Sequence, residues 1–256
     1  MTDGWAPFAE QMSRAVLNYD AGYLDRVGFC DHTAGGFYRT LTDPSFWEGA
    51  GVLVHFAIAR DGRIAQLCNI FDSPYAQGRL GPVVTWPPYD LMNRRNPNGY
   101  LISTEHEDAE TVNGKTVFVP NAAWTPEQYA ADLKVKRWCI EEVRRVTGKN
   151  LMRFEIDSLT GHHMFDGVNR AQCPGPAWRN EYRQRLYDDL TGGDPMEAQK
   201  EEELADRRAY ALLQKELLTR YRAVPVRAEG GDLILELRNP DRTPLAEPIF
   251  IPVREQ

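Results

Sequence analysis

Apolar residues recur along the chain at two spacings, and the switches between them outline its elements. From Pro7 to Asn18, the positions Phe8, Met12, Ala15 and Val16 fall at helical spacing and predict a first helix. Val27 to Cys30 is a short apolar run that reads as a strand and stops at the polar "DHTAGG". Phe37 to Ala50 reads as a loop or a short helix. Between Gly51 and Ile70, "GVLVHFAIARDGRIAQLCNI" reads as two strands joined by Asp61-Gly62, a pair that tight hairpin turns favour. The segment Phe71 to Tyr100 is rich in Pro, Gly and Asn and predicts a long loop region beside a binding site. Tyr100 to His106, "YLISTEH", returns to a strand.

A second helix opens at Thr125, a good N-cap, with Pro126 suited to the first turn and Gly148 as the stop. Tyr129, Leu133, Trp138, Ile140 and Val143 supply its expected apolar face, with Cys139 packing there as a small hydrophobe. Asn180 to Leu190 reads as helix and is broken by "TGGDP". Met196 to Arg222 then predicts a long charged helix with Leu204, Tyr210, Leu213, Leu217 and Tyr221 on one stripe. Beyond it, a Gly-Gly turn lies between extended segments, followed by a Pro-rich edge. This order predicts an α/β domain over residues 1–193, a mixed central β-sheet flanked by helices, and a C-terminal helix plus β-hairpin extension over residues 194–256.

Composition narrows the class. A chain of 256 residues supports one good-sized domain and an appendage, and its net charge of -7 argues against a protein that grips nucleic acid by neutralising phosphates. The four cysteines, Cys30, Cys68, Cys139 and Cys173, fit neither a disulfide scaffold nor a CxxC metal knuckle. The N-terminal stretch lacks the charged start and hydrophobic centre of a secretory signal, and no apolar run is long enough to span a bilayer. These features lead us to expect a chain made and folded in a cytoplasm.

The chemistry-bearing residues lie at strand ends and turns. Zinc prefers imidazole nitrogen and thiolate sulfur in a tetrahedron, and a catalytic zinc keeps one position open. His32 in "FCDHTAGG", one of the adjacent pair His162 and His163, and Cys173 before Pro174 offer three such groups. Glu105, at the end of "YLISTEH", is the natural carboxylate to shuttle a proton beside them. Each of these residues, taken singly, also suits a structural role.

The ordered set "FCDHTAGG", "VHFAIARDGRIAQL", "ISTEHED", "WTPEQYAAD" and "TGHHMFDGVNRAQCPGPAW" resembles the zinc-dependent N-acetylmuramoyl-L-alanine amidases of type 2, a family that includes phage endolysins and peptidoglycan-recognition proteins. The likeness spans about Val27 to Trp178. It implies a bound Zn2+ and cleavage of the amide between the lactyl group of N-acetylmuramic acid and the L-alanine of the stem peptide. The family's ligand positions fall on His32, His162 and Cys173, and its catalytic Glu falls on Glu105. The partner implied is bacterial peptidoglycan, and the biological setting is an endolysin held in the host cytoplasm until lysis. A peptidoglycan-binding protein without turnover and a virion structural component are the alternatives, and the C-terminal stripe then reads as packing, homo-oligomerisation or wall targeting.

The chain departs from the family pattern at two places. Val54 stands where many members carry Tyr, and Ala171 stands where many carry the Lys that stabilises the oxyanion. Arg170 or His163 is the expected replacement, since either donates a hydrogen bond to developing negative charge. In the loops, Tyr75, Trp86 and Asn98, together with His55 in "VLVHFAI", are expected to bind substrate or, alternatively, to cover or enter the core. His106 alternates with Glu105, so it is expected on the opposite face of its strand, in a structural role.

Overall fold

The computed structural model describes residues 4–12, 19–78, 80–192, 222–227, 233–238 and 244–253. The chain divides into two units, Met1–Gly193 and Asp194–Gln256. In the first, the strands are β1 (Glu10–Gln11), β2 (Tyr19–Asp20), β3 (Gly28–Thr33), β4 (Phe56–Ile58), β5 (Ile64–Gln66), β6 (Ser73–Pro74), β7 (Leu101–His106), β8 (Ala109–Val112), β9 (Lys115–Phe118) and β10 (Leu159–Gly161). The helices are α1 (Tyr38–Leu41), α2 (Pro44–Ala50), α3 (Pro126–Thr147) and α4 (Arg183–Thr191). The main sheet has the order β1-β5-β4-β7-β3-β10. Strands β4, β7, β3 and β10 run parallel, and β5 turns back antiparallel to β4.

Alternation along the two central strands assigns residues to opposite layers. Phe29 and Ile102 face a core built with Val135, Cys139, Val143 and Leu186 of α3 and α4. Cys30 and Leu101 face the other side, where the long loops close over the sheet. A third cluster, with Trp47, Leu53 and Ala57, packs α1 and α2 beside them. The sheet is thus covered on both faces, as the sequence pattern predicts.

Local chemistry fixes the boundaries. The Thr125 hydroxyl accepts the Gln128 N–H at 3.0 Å, and Gly148 ends α3 at a φ of 70°. The hairpin turns at Asp61-Gly62, where Ala59 N–H donates to the Arg63 carbonyl and Gly62 takes a φ of 86°.

One expectation requires correction. The segment from Pro7 is not helical: Glu10 and Gln11 pair parallel with Ala65 and Gln66, and positions 13–18 lie outside the described residues. The buried Gln66 side chain accepts the Ala6 N–H at 2.7 Å and donates to the Gly4 carbonyl at 2.8 Å. That pairing takes up backbone groups a helix would use internally, so tertiary contacts override the local periodicity. On α3 the expected apolar face packs on the core, with Tyr129, Cys139 and Val143 buried and Leu133, Trp138 and Ile140 partly buried against it, and Gln128, Asp132 and Lys136 are buried as well. The helix is rotated toward polar partners on β3 and β7.

In the second unit, β11 (Arg222–Arg227), β12 (Leu233–Arg238) and β13 (Pro244–Val253) form an antiparallel sheet in that order. The helix expected over Met196 to Arg222, apart from Arg222 itself, and the Gly-Gly turn lie outside the described residues.

Candidate metal centre

Parallel pairing of β3 with β7 places His32 directly beside Glu105, and pairing of β3 with β10 brings Gly161 level with Asp31. Because side chains alternate, His32 and Glu105 share the loop-covered face, while Asp31 and His106 point to α3. His162 follows β10 in a single 3-10 turn. Cys173 reaches the same place from the loop after it. Its N–H donates to the Arg170 carbonyl at 2.9 Å, its carbonyl receives the His163 N–H at 3.0 Å, and its Sγ accepts the Thr33 N–H at 3.4 Å.

The ligating atoms of His32, His162 and Cys173 all lie within 4.8 Å of one another. Sγ of Cys173 is 3.9 Å from Nδ1 of His32, and the two imidazole rings are 4.6 Å apart, centroid to centroid. Among the described residues, His32 Nε2 is buried without a hydrogen-bond partner, a costly state unless something outside the chain engages the ring. Burial holds the His32 imidazole well below its ordinary pKa and His162 down at about 4, so both are in the neutral form that metals bind. Burial, reinforced by the Glu105 charge, pushes the Cys173 thiol up in the absence of a cation. Two nitrogens and a sulfur at this spacing match the donor set and reach of a tetrahedral zinc site with one open position.

These residues floor a cavity of about 630 Å³. Leu41, Phe46, Trp47 and Val52 form an apolar wall, and Gln77, Asp166, Asn169 and Arg170 give it polar edges. Glu105 lines the floor. Burial raises its carboxyl to about 8, with the Asp108 charge adding to the rise and Arg170 opposing it. Arg170 is exposed at the rim, and among the described residues its guanidinium makes no hydrogen bond or ion pair, which leaves it free to meet an incoming oxygen.

The other expected residues are not part of this cavity. His163 holds the Cys173 carbonyl with Nδ1 at 3.0 Å and sets its ring edge-on to Trp178. His55 is fully buried, accepting the Ser103 N–H at Nδ1 and donating from Nε2 to the Asp72 carbonyl. Tyr75 hydrogen-bonds Asp20 at 3.0 Å. Trp86 is buried against Phe154 and Phe165, with its indole N–H on the Asp157 carbonyl. Asn98 is buried and accepts the Gln77 N–H at 2.9 Å. Residues that do line the cavity, Phe46 of α2 and Gln77 of the long loop among them, carry no periodic signal that sets them apart in the sequence.

A second close group, Asp31, His106 and Asp132, lies beneath the sheet. Its centre is filled by Lys136, whose ammonium donates to Asp31 at 2.8 Å and to both oxygens of Asp132 at 2.6 Å. Trp178 Nε1 donates to the other Asp31 oxygen at 2.7 Å. His106 spans from Asp132, through Nε2 at 3.2 Å, to the carbonyl of His32, through Nδ1 at 3.1 Å. This network ties α3 to the backbone of the candidate ligand strand, and its carboxylates are taken by Lys136.

Against known proteins, a family model described as N-acetylmuramoyl-L-alanine amidase matches residues 23–176. Among solved structures, an AmpD derivative is similar at 21% identity over 73% of this chain and 98% of that one, with a TM-score of 0.47. The amidase LysC from Clostridium intestinale URNW is similar at 14% identity over 70% and 97% of the two chains, with a TM-score of 0.44. AmiD from E. coli, solved with anhydro-N-acetylmuramic acid-L-Ala-D-gamma-Glu-L-Lys, is similar at 16% identity over 65% and 59%, with a TM-score of 0.40. No curated protein sequence matches the chain.

Proposed function

The chain belongs to the N-acetylmuramoyl-L-alanine amidase family, and on that premise we propose that it cuts peptidoglycan with one zinc ion held by His32, His162 and Cys173. The reaction is hydrolysis of the amide between the lactyl group of N-acetylmuramic acid and L-alanine. The observation that supports the zinc reading is the convergence of two neutral imidazoles and a thiol within 4.8 Å on the cavity floor, with Glu105 alongside.

Bound zinc would supply Lewis-acid polarisation of the scissile carbonyl and acidification of water. The remaining work falls to the chain's own side chains. Glu105 acts from its ionised form, against the burial that raises its pKa: it takes the proton of the attacking water and returns it to the departing L-alanine nitrogen. Arg170 at the rim donates to the oxygen that gains negative charge. The wall of Leu41, Phe46, Trp47 and Val52 shields the reacting amide from bulk water.

We place this chemistry in a phage or prophage endolysin that waits in the host cytoplasm. No helix of the described residues is long and apolar enough to cross a membrane; the endolysin reading itself requires that the membrane be opened by other means. Purified sacculi incubated with the protein, with and without chelator, test the reaction: new L-alanine amino termini that appear only without chelator support it. Binding to sacculi with no new termini would refute turnover. Expression in a bacterial host with and without a membrane-permeabilising protein tests the setting, and release of soluble muropeptides without any loss of turbidity would contradict the endolysin reading.

A further inference from the structure

Among the described residues, the imidazole of His162 is oriented by a carbonyl, and that carbonyl is itself held on two sides. His162 Nε2 lies 3.1 Å from the backbone oxygen of Gln77, which can only accept, so the proton sits on Nε2 and the lone pair on Nδ1. The Gln77 N–H donates to Asn98 Oδ1 at 2.9 Å, and the Gln77 side-chain amide donates to Ser103 Oγ at 3.0 Å. All four residues are buried. Asn98 is anchored in turn: its N–H donates to Asn96 Oδ1 at 3.0 Å, and its carbonyl receives the Arg26 guanidinium at 3.2 Å. Ser103 lies on β7, two positions before Glu105. The long loop is thereby fastened to the strand that carries Glu105, and its Gln77 carbonyl meets the His162 imidazole directly.

We infer that Asn98 and Ser103 are positioning residues for the metal centre: by fixing the Gln77 carbonyl they set the tautomer and tilt of His162. The inference rests on the zinc reading of the site, and it reassigns Asn98 from substrate contact to ligand orientation. Its physical basis is that a ligating imidazole whose other nitrogen lacks a fixed acceptor loses both orientation and basicity. Loss of such a partner commonly weakens metal binding about 10- to 100-fold.

The test uses the full chain as Asn98→Ala, Asn98→Asp and Ser103→Ala. Zinc affinity is read by competition with a chromophoric chelator, and folding is followed by circular dichroism. Asn98→Ala should weaken zinc about 10-fold or more, Ser103→Ala should weaken it less, and Asn98→Asp, which keeps the accepting oxygen, should recover most of the loss. Once zinc is saturating, the KM for muramyl peptide should be unchanged. Imidazole nitrogen NMR of the metal-free protein supplies a readout that needs no zinc: His162 should be protonated at Nε2 in the wild type and a tautomer mixture in Asn98→Ala. Should Asn98→Ala fail to fold, Ser103→Ala carries the same two readouts. Unchanged zinc affinity and tautomer in the folded variants would overturn the inference, as would an equal loss in Asn98→Asp. A wild type that shows the Nε2 tautomer but binds no zinc would instead defeat the zinc reading.

Discussion

Replacing Lys136 by methionine keeps the aliphatic length and removes the ammonium that lies between Asp31 and Asp132. All three side chains are fully buried, and the lysine makes one contact of 2.8 Å to Asp31 and two of 2.6 Å to Asp132. Burial by itself pushes both carboxyls up; at Asp132 the Lys136 ammonium, helped by His106, outweighs burial and holds the group below its usual range. Without the cation, two carboxylates are left close together in a medium that solvates neither. Removing one partner of a buried ion pair costs about 3–5 kcal/mol, which for a unit of this size lowers the melting temperature by about 10 °C. The sign with pH follows from the shift. In the variant the folded-state pKa values of both aspartates lie above their unfolded ones, so stability is gained as pH falls toward the unfolded values and lost as it rises. Urea unfolding, followed by tryptophan fluorescence across that pH range, measures this, since Trp178 sits on Asp31. A Lys136→Met protein within about 1 kcal/mol of the wild type at neutral pH, with no added stability in acid, would refute the reasoning.

Glu105→Gln should lower kcat by about 10²- to 10⁴-fold while zinc content stays the same, as measured by turnover beside metal analysis. In the metal-free protein the Glu105 carboxyl should titrate near 8; because the base must be ionised and a bound cation favours ionisation, the rising limb of kcat/KM in the zinc enzyme should lie below that value. Arg170→Ala should reduce kcat by about 10²-fold with little change in KM, and Arg170→Lys should recover part of it; equal losses in both would count against a charge-based role. Trp86→Phe should lower stability, through loss of its hydrogen bond to the Asp157 carbonyl, and leave KM for muramyl peptides unchanged.

Strands β3, β4, β5 and β7, the Asp61-Gly62 hairpin and the boundaries of α3 were legible because each rests on a local rule: alternation or an apolar run, an Asp-Gly turn, a threonine cap and a glycine stop. Strand β10 and the β8-β9 pair are not among the strands expected from the sequence. His32, His162 and Cys173 could be singled out because soft donors at turns are unusual and because their surrounding motifs resemble a known family. Asp31, Asp132 and Lys136 could not. A charged residue on a helix reads as solvent-facing until a partner strand is known, and Asp132 and Lys136 are buried because they meet Asp31 of β3 and His106 of β7. The loop residues fared worst. Tyr75, Trp86 and Asn98 have side chains of a type that suits substrate, but no periodicity fixes which way a loop side chain points, and each makes packing contacts or hydrogen bonds within the chain. The N-terminal segment shows the converse error, in which helical spacing yields to capture of backbone groups by Gln66.

The most direct test of the central claim is the zinc content of the purified full-length protein, compared with that of His32→Ala, His162→Ala and Cys173→Ser. The account predicts one zinc per wild-type chain and its loss, together with amidase activity, from each variant that still folds. Wild-type protein that releases L-alanine termini without bound metal, or variants that keep both zinc and activity, would contradict it.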